Sequence, residues 1–182
     1  KRALHFSYRP ITILSFKLNY LLGGLSTWGY HFFNAFLHMC VSLLFFMFSQ
    51  VIFKKYFFCL SFIAAMIFSL HPIHTEAVSS VVGRAELLAA FFSLLACLTY
   101  FKAVREKKKK IYSWTFFFLS LFLLLLSLIS KETGITLLAI LIIYDLLKDK
   151  NIFDLKSLSF KYRYHEITSV ASIILSKMSP KL

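Results

Sequence analysis

The sequence predicts an all-α membrane protein with about five transmembrane helices, and three observations lead there. Of its 182 residues, 59% are hydrophobic and only 16% are charged, against roughly 45 to 50% and 25% in an ordinary soluble domain. The uncharged residues gather in long windows at 18–53, 56–75, 87–101, 111–130 and 133–144. The 21 Lys and Arg, set against 8 Asp and Glu, fall mostly between those windows. A helix of about 20 residues crosses a hydrocarbon core, and in lipid a chain must satisfy its own backbone, which leaves helix as the form of each window. A net charge of +13 in a soluble protein would suggest nucleic acid. Here the cations sit at window boundaries, so the partner is the lipid bilayer and no nucleic acid is expected.

Residues 1–29 read as the end of a luminal loop. Pro10 disfavours helix at Arg9, Gly23 and Gly24 break any pattern, and Trp28 and Tyr30 suit a membrane interface. Spans follow at 30–53, 56–71, 84–101, 111–129 and 134–147, which makes residues 30–147 the multispanning core. The third and fifth windows are short and need neighbours such as Leu146 and Leu147, or burial among other helices. The connections after the first and third spans carry Lys54, Lys55, Lys102, Arg105 and Lys107 to Lys110, whereas those after the second and fourth carry only Arg84 and Lys131. The positive-inside rule then puts 71–86 and 130–133 on the luminal side with residues 1–29, and residues 148–182 in the cytosol as a basic tail. Lys1, Arg2, Arg9 and Lys17 run against that sign and read as an interfacial or functional exception. Cys40, Cys59 and Cys97 all lie in apolar windows, where a thiol is a small hydrophobe, so no disulfide framework or zinc site is indicated.

Polar groups accumulate where the second span ends, in His71-Pro72-Ile73-His74-Thr75-Glu76 and then Val82-Gly83-Arg84-Ala85-Glu86. Such residues are costly beside lipid and point to a site. His71 and His74 can share a helical face, but Glu76 lies about 140° round the helix from His71, which spoils a three-ligand set, and no metal is expected. Ser7-Tyr8-Arg9-Pro10 and Ser130-Lys131-Glu132-Thr133-Gly134 emerge on the same side. Arg9, Arg84 and Lys131, with His71 and His74, are therefore candidates to hold a lipid-linked phosphate, with Glu76, Glu86 and Glu132 as supporting carboxylates. Salt bridges such as Arg84 with Glu76 or Glu86 are the purely structural alternative. His31, Asn34 and His38 sit three or four residues apart and form a candidate hydrogen-bonding seam between helices. Phe91-Phe92 and Phe116-Phe117-Phe118 are packing, not a cofactor box.

The ordered set SYRP, LNYLLGGL, WGYH, HPIHTEAV, VGRAELLA and SKETGIT ending in YD resembles the transmembrane and tetratricopeptide-repeat (TMTC) family of protein O-mannosyltransferases over about residues 6 to 147. The resemblance implies a multi-pass enzyme of the endoplasmic-reticulum membrane with a GT-C type core. Such an enzyme transfers mannose from dolichyl phosphate mannose to Ser or Thr of luminal proteins such as cadherin-type domains, and no further cofactor is implied. It also implies that a key acidic residue precedes Lys1 and that tetratricopeptide repeats follow residue 182, so the catalytic residue is unknown within this chain and the chain alone is expected to be inactive. In an inverting transfer a carboxylate accepts the hydroxyl proton while cations stabilise the leaving phosphate. A noncatalytic multispanning scaffold or gating protein is the alternative. A transporter ranks behind both, because the midplane of the spans lacks paired ionisable residues.

Overall fold

The computed structural model describes residues 8–53, 58–105 and 110–149, and all of the regular structure among them is helical. The first helix, α1 (Pro10–Gly23), replaces the loop that the sequence suggested. Pro10 is the cause. At the first position of a helix its missing N–H is no loss and its fixed φ is already helical, while Arg9 before it stays non-helical at φ −123° and ψ 69°. The proline that bars helix at Arg9 thus starts one immediately afterwards. There follow α2 (Thr27–Ile52), α3 (Phe58–Leu70), α4 (His74–Ser79), α5 (Arg84–Arg105) and α6 (Lys110–Ser130), then a 3-10 turn (Glu132–Ile135) leading into α7 (Thr136–Asp149).

Three segments, Thr27–Ile52, Arg84–Val104 and Tyr112–Ser130, are long and apolar enough to cross a membrane. The second and fifth predicted spans become shorter helices, α3 of 13 residues and α7 of 14, each about 20 Å long. The expected tail beyond residue 149, and the cations Lys54, Lys55 and Lys107 to Lys109, lie outside the described residues. Lys1–Ala139 forms one unit and Ile140–Leu182 a second, of which the described part is the later portion of α7.

The α5–α6 hairpin sets the frame of the first unit. Ser113, Ser120 and Ser127, each seven residues after the last, donate to the carbonyls of Ala103, Ala96 and Ala89 at 2.9, 3.0 and 3.1 Å. The donors climb by seven as the acceptors descend by seven, which is an antiparallel register with two helical turns between rungs. Small residues on both sides let the backbones approach, and the hydroxyls close their hydrogen bonds without leaving a polar atom to lipid. Ala89, Ala96 and Ala103 are buried, as are Ser120 and Ser127.

Against this hairpin, α2 packs through Leu37, which joins Ala77, Leu87 and Leu88 in a small core flanked by Phe33 and Phe92. Next to it α3 lies on α2, with Phe45 and Phe68 stacked at 4.3 Å and His38 Nε2 at 3.1 Å from the Ser69 carbonyl. The start of α2, the end of α3, α4, the start of α5 and the end of α6 consequently meet at one end of the helices.

Candidate functional site

Two glycines draw the polar turns of that end together. A Cβ on Gly83 would stand 2.3 Å from the Ala77 carbonyl oxygen, so only glycine lets α4 fold down on the start of α5. A Cβ on Gly134 would stand 2.5 Å from Ser127 Oγ, so the 3-10 turn likewise folds back on α6 only because that position is bare. Within the first turn, His71 Nδ1 accepts the Ile73 N–H at 3.2 Å and Thr75 Oγ1 donates to the Pro72 carbonyl at 2.6 Å.

These folds bring four sequence segments to one pocket of about 130 Å³, lined by Arg9, Glu76, Gly83, Glu86 and Lys131 among others. Arg9 forks onto Glu132, with Nη2 at 2.9 Å from Oε2 and Nε at 3.4 Å from Oε1. Lys131 Nζ donates to Glu86 Oε1. Thr12 Oγ1 donates to the Ser130 carbonyl at 3.1 Å, which pins the start of α1 to the end of α6. The hydrogen bond from Arg9 holds the Glu132 carboxyl below its ordinary range, helped by the residue's own backbone N–H and by the charges of Arg9 and Lys131. Glu76 makes no ion pair among the described residues, so the pocket offers one uncommitted carboxylate beside two cations whose present partners are exposed and exchangeable.

Arg84 stands apart from the other candidates. Its side chain is 0% exposed, and it does not line the pocket. Nε donates to Asn34 Oδ1 at 2.9 Å, Nη1 to the Ser15 carbonyl at 3.3 Å, and Nη2 to Asn19 Oδ1 and the Tyr30 carbonyl at 3.1 Å each. Its guanidinium carbon lies 4.6 Å from the ring centres of both Phe16 and Phe33. In this geometry Arg84 ties α1 and α2 to α5, and it pairs with neither Glu76 nor Glu86. Amide oxygens, carbonyls and ring faces together disperse a charge that no carboxylate meets among the described residues.

The histidines also lie to one side. His74 is half-buried, its ring 4.5 Å from Phe68 and 5.3 Å from His38, and burial followed by the nearby His38 and His71 lowers its pKa. His71 is exposed and borders an open apolar groove on α3. Among the described residues no group of three His, Cys, Asp or Glu is placed to hold a metal ion. The seam expected on α2 runs through Asn34 and His38, with Asn34 Nδ2 donating to the Ser80 carbonyl at 2.9 Å, while His31 is exposed. Asn19 escaped the sequence reading, although its place seven residues after Thr12 was a usable sign of a polar inner stripe on α1.

The chain is similar in sequence to several curated proteins. Over 141 residues, 78% of the chain, it is 43% identical to protein O-mannosyl-transferase tmtc2 of Xenopus laevis. Over 157 residues it is 41% identical to the human protein O-mannosyl-transferase TMTC4, and over 153 residues 40% identical to the human TMTC1. The chain belongs to the TMTC family of protein O-mannosyl-transferases. It spans 17%, 21% and 17% of the length of these three TMTC relatives. No family model matches it, and no solved structure does. TMTC membership agrees with an all-helical membrane protein whose polar segments collect at one end of the helices.

Proposed function

We propose that this end of the protein binds the phosphate of a lipid-linked mannose, dolichyl phosphate mannose, for transfer to Ser or Thr of a luminal protein such as a cadherin-type domain. In this reading the pocket faces the lumen of the endoplasmic reticulum and the chain is a multi-pass part of the enzyme's membrane core. The observation that carries it is the meeting of Arg9 and Lys131 in one small pocket with Glu76, which has no ion pair among the described residues. An arriving phosphate competes with Glu86 and Glu132 for the two cations. Exposed ion pairs are weak, so exchange is cheap, and Arg9 presents a fork that fits two phosphate oxygens. The displaced carboxylates and Glu76 are then free to orient sugar hydroxyls or the acceptor. Arg84 serves this site from behind by holding the middle of α1 and the first turns of α2 against the start of α5. His71 and His74 lie at its flank and are proposed to act only once a ligand extends beyond the pocket.

The test is binding of dolichyl phosphate mannose to the protein in proteoliposomes. Lys131→Ala and Arg9→Ala each weaken binding about tenfold, the scale of one lost charge-assisted hydrogen bond, and lower the unfolding midpoint by no more than the loss of one exposed ion pair does. Equal binding by the wild type and both variants contradicts the assignment and favours a scaffold in which these cations are anchors.

A further inference from the structure

Helix α1 is built inside out. The residues it buries fully are polar, Thr12 and Asn19, both engaged; beside them Ser15 lends its carbonyl to Arg84, while Ile11 and Phe16 on the same side are only partly buried. Those it turns outward are apolar, with Ile13, Leu14, Leu18 and Leu21 each between 58 and 70% exposed and Leu22 90% exposed. A helix facing water shows the opposite pattern. Its course is equally unusual. Thr12 sits at the end of α6, Ser15 and Asn19 at the start of α5, and Gly24 accepts a 3.1 Å hydrogen bond from Tyr30 in the first turns of α2. The helix therefore passes the ends of three membrane-length helices in turn and runs along none of them. At 14 residues it reaches about 21 Å, too short to cross a bilayer.

We propose that α1 lies in the plane of the membrane interface with its outer face against phospholipid. The chain that follows is apolar and exposed as well, at Leu25 in the turn and at Trp28 and Phe32 of α2, whose rings stack at 5.3 Å. Trp at the first turn of a crossing helix marks the headgroup level. Lys17 projects from the middle of the apolar arc and makes no ion pair among the described residues. A cation there suits lipid phosphate, reached by a side chain whose stem lies along apolar surface. A protein partner would have to bury it. Because Arg9 immediately precedes α1, the pocket then stands at headgroup depth, open to a ligand that diffuses within the membrane. The placement of α1 holds whatever that ligand is.

The experiment places the photoreactive residue benzoyl-phenylalanine at Leu14, Leu18 or Leu21 of the protein in phosphatidylcholine nanodiscs, with the same residue at the exposed Leu43 of α2 as the lipid-facing reference. All three positions are expected to give phospholipid adducts by mass spectrometry, with yields within about twofold of the reference. A cross-link to protein, or no adduct at these positions while Leu43 reacts, overturns the proposal. Depth is read separately with bimane on Leu18→Cys. A nitroxide near the lipid headgroup is expected to quench it more than one near the end of the acyl chain, and the reverse order overturns the in-plane placement.

Discussion

The α5–α6 hairpin and the polar end of the molecule solve the same problem, polar atoms beside lipid, in opposite ways. Along the hairpin each serine closes its own hydrogen bond on a facing carbonyl at a fixed spacing, so every rung is cheap and independent of the others. At the polar end one buried arginine takes its partners from two other helices at once, and each partner depends on the rest. Repetition gives the hairpin its register, and convergence gives the site its geometry. A site of converging groups is accordingly the more fragile of the two.

Breaking the convergent end should have the largest effect. Arg84→Met leaves the Oδ1 atoms of Asn19 and Asn34 and two backbone carbonyls without their donor. A loss of about 3 kcal/mol or more is expected, read as a lowered unfolding midpoint in detergent. Arg84→Lys should recover only part of it, because an ammonium cannot reach four acceptors in one plane. A midpoint unchanged in Arg84→Met would mean that the hub is dispensable.

The hairpin should respond less to loss and more to bulk. Ser120→Ala removes one rung and should cost about 0.6 kcal/mol, whereas Ser120→Leu forces apart the backbones at Ala96 and should cost about 1 to 3 kcal/mol. Equal effects from the two would show that the hydroxyl, not the close approach, sets the packing.

The smallest effect belongs to the Arg9–Glu132 pair, which is exposed. Because the Glu132 pKa is lowered in the folded protein, its contribution is complete above the ordinary glutamate range and disappears as pH falls through the lowered value. The stability difference between wild type and Glu132→Gln should therefore be flat near neutrality and close on acidification, as followed by thermal unfolding across pH. A difference that grows in acid would reverse the sign.

How much of this was legible in the sequence depends on how far apart the partners lie. The apolar windows located all three membrane-length helices, since burial in lipid is written in local composition. The segments that line the pocket were likewise visible, because Arg9, Glu76, Glu86 and Lys131 are costly wherever they meet lipid. The pairing was not. The sequence offers Arg84 as a phosphate ligand or, in the structural alternative, as a partner of Glu76 or Glu86 two to eight residues away, but it bonds amides 50 and 65 residues off, while Lys131 takes Glu86. Nothing in local spacing distinguishes a cation that goes inward from one that stays at the rim. Helix α1 was missed for a related reason. Pro10 and the glycines were read as breakers, whereas Pro10 stands where a helix begins, and the inner polar stripe has meaning only once α5 lies against it. The serine ladder was open to inspection, since Ser113, Ser120 and Ser127 recur at the same interval as Ala89, Ala96 and Ala103.

The central claim is that the segments around residues 71–86 and 130–134 emerge on one side of the membrane and build one pocket. Side-specific labelling tests it most directly. Single cysteines replace the exposed Thr75, Val82 and Thr133 in a background lacking the exposed Cys59, and sealed microsomes are treated with a membrane-impermeant maleimide before and after permeabilisation. All three should be protected in the sealed vesicles and labelled together once these are opened. A single position that reacts from the opposite side would contradict the claim, and the pocket with it.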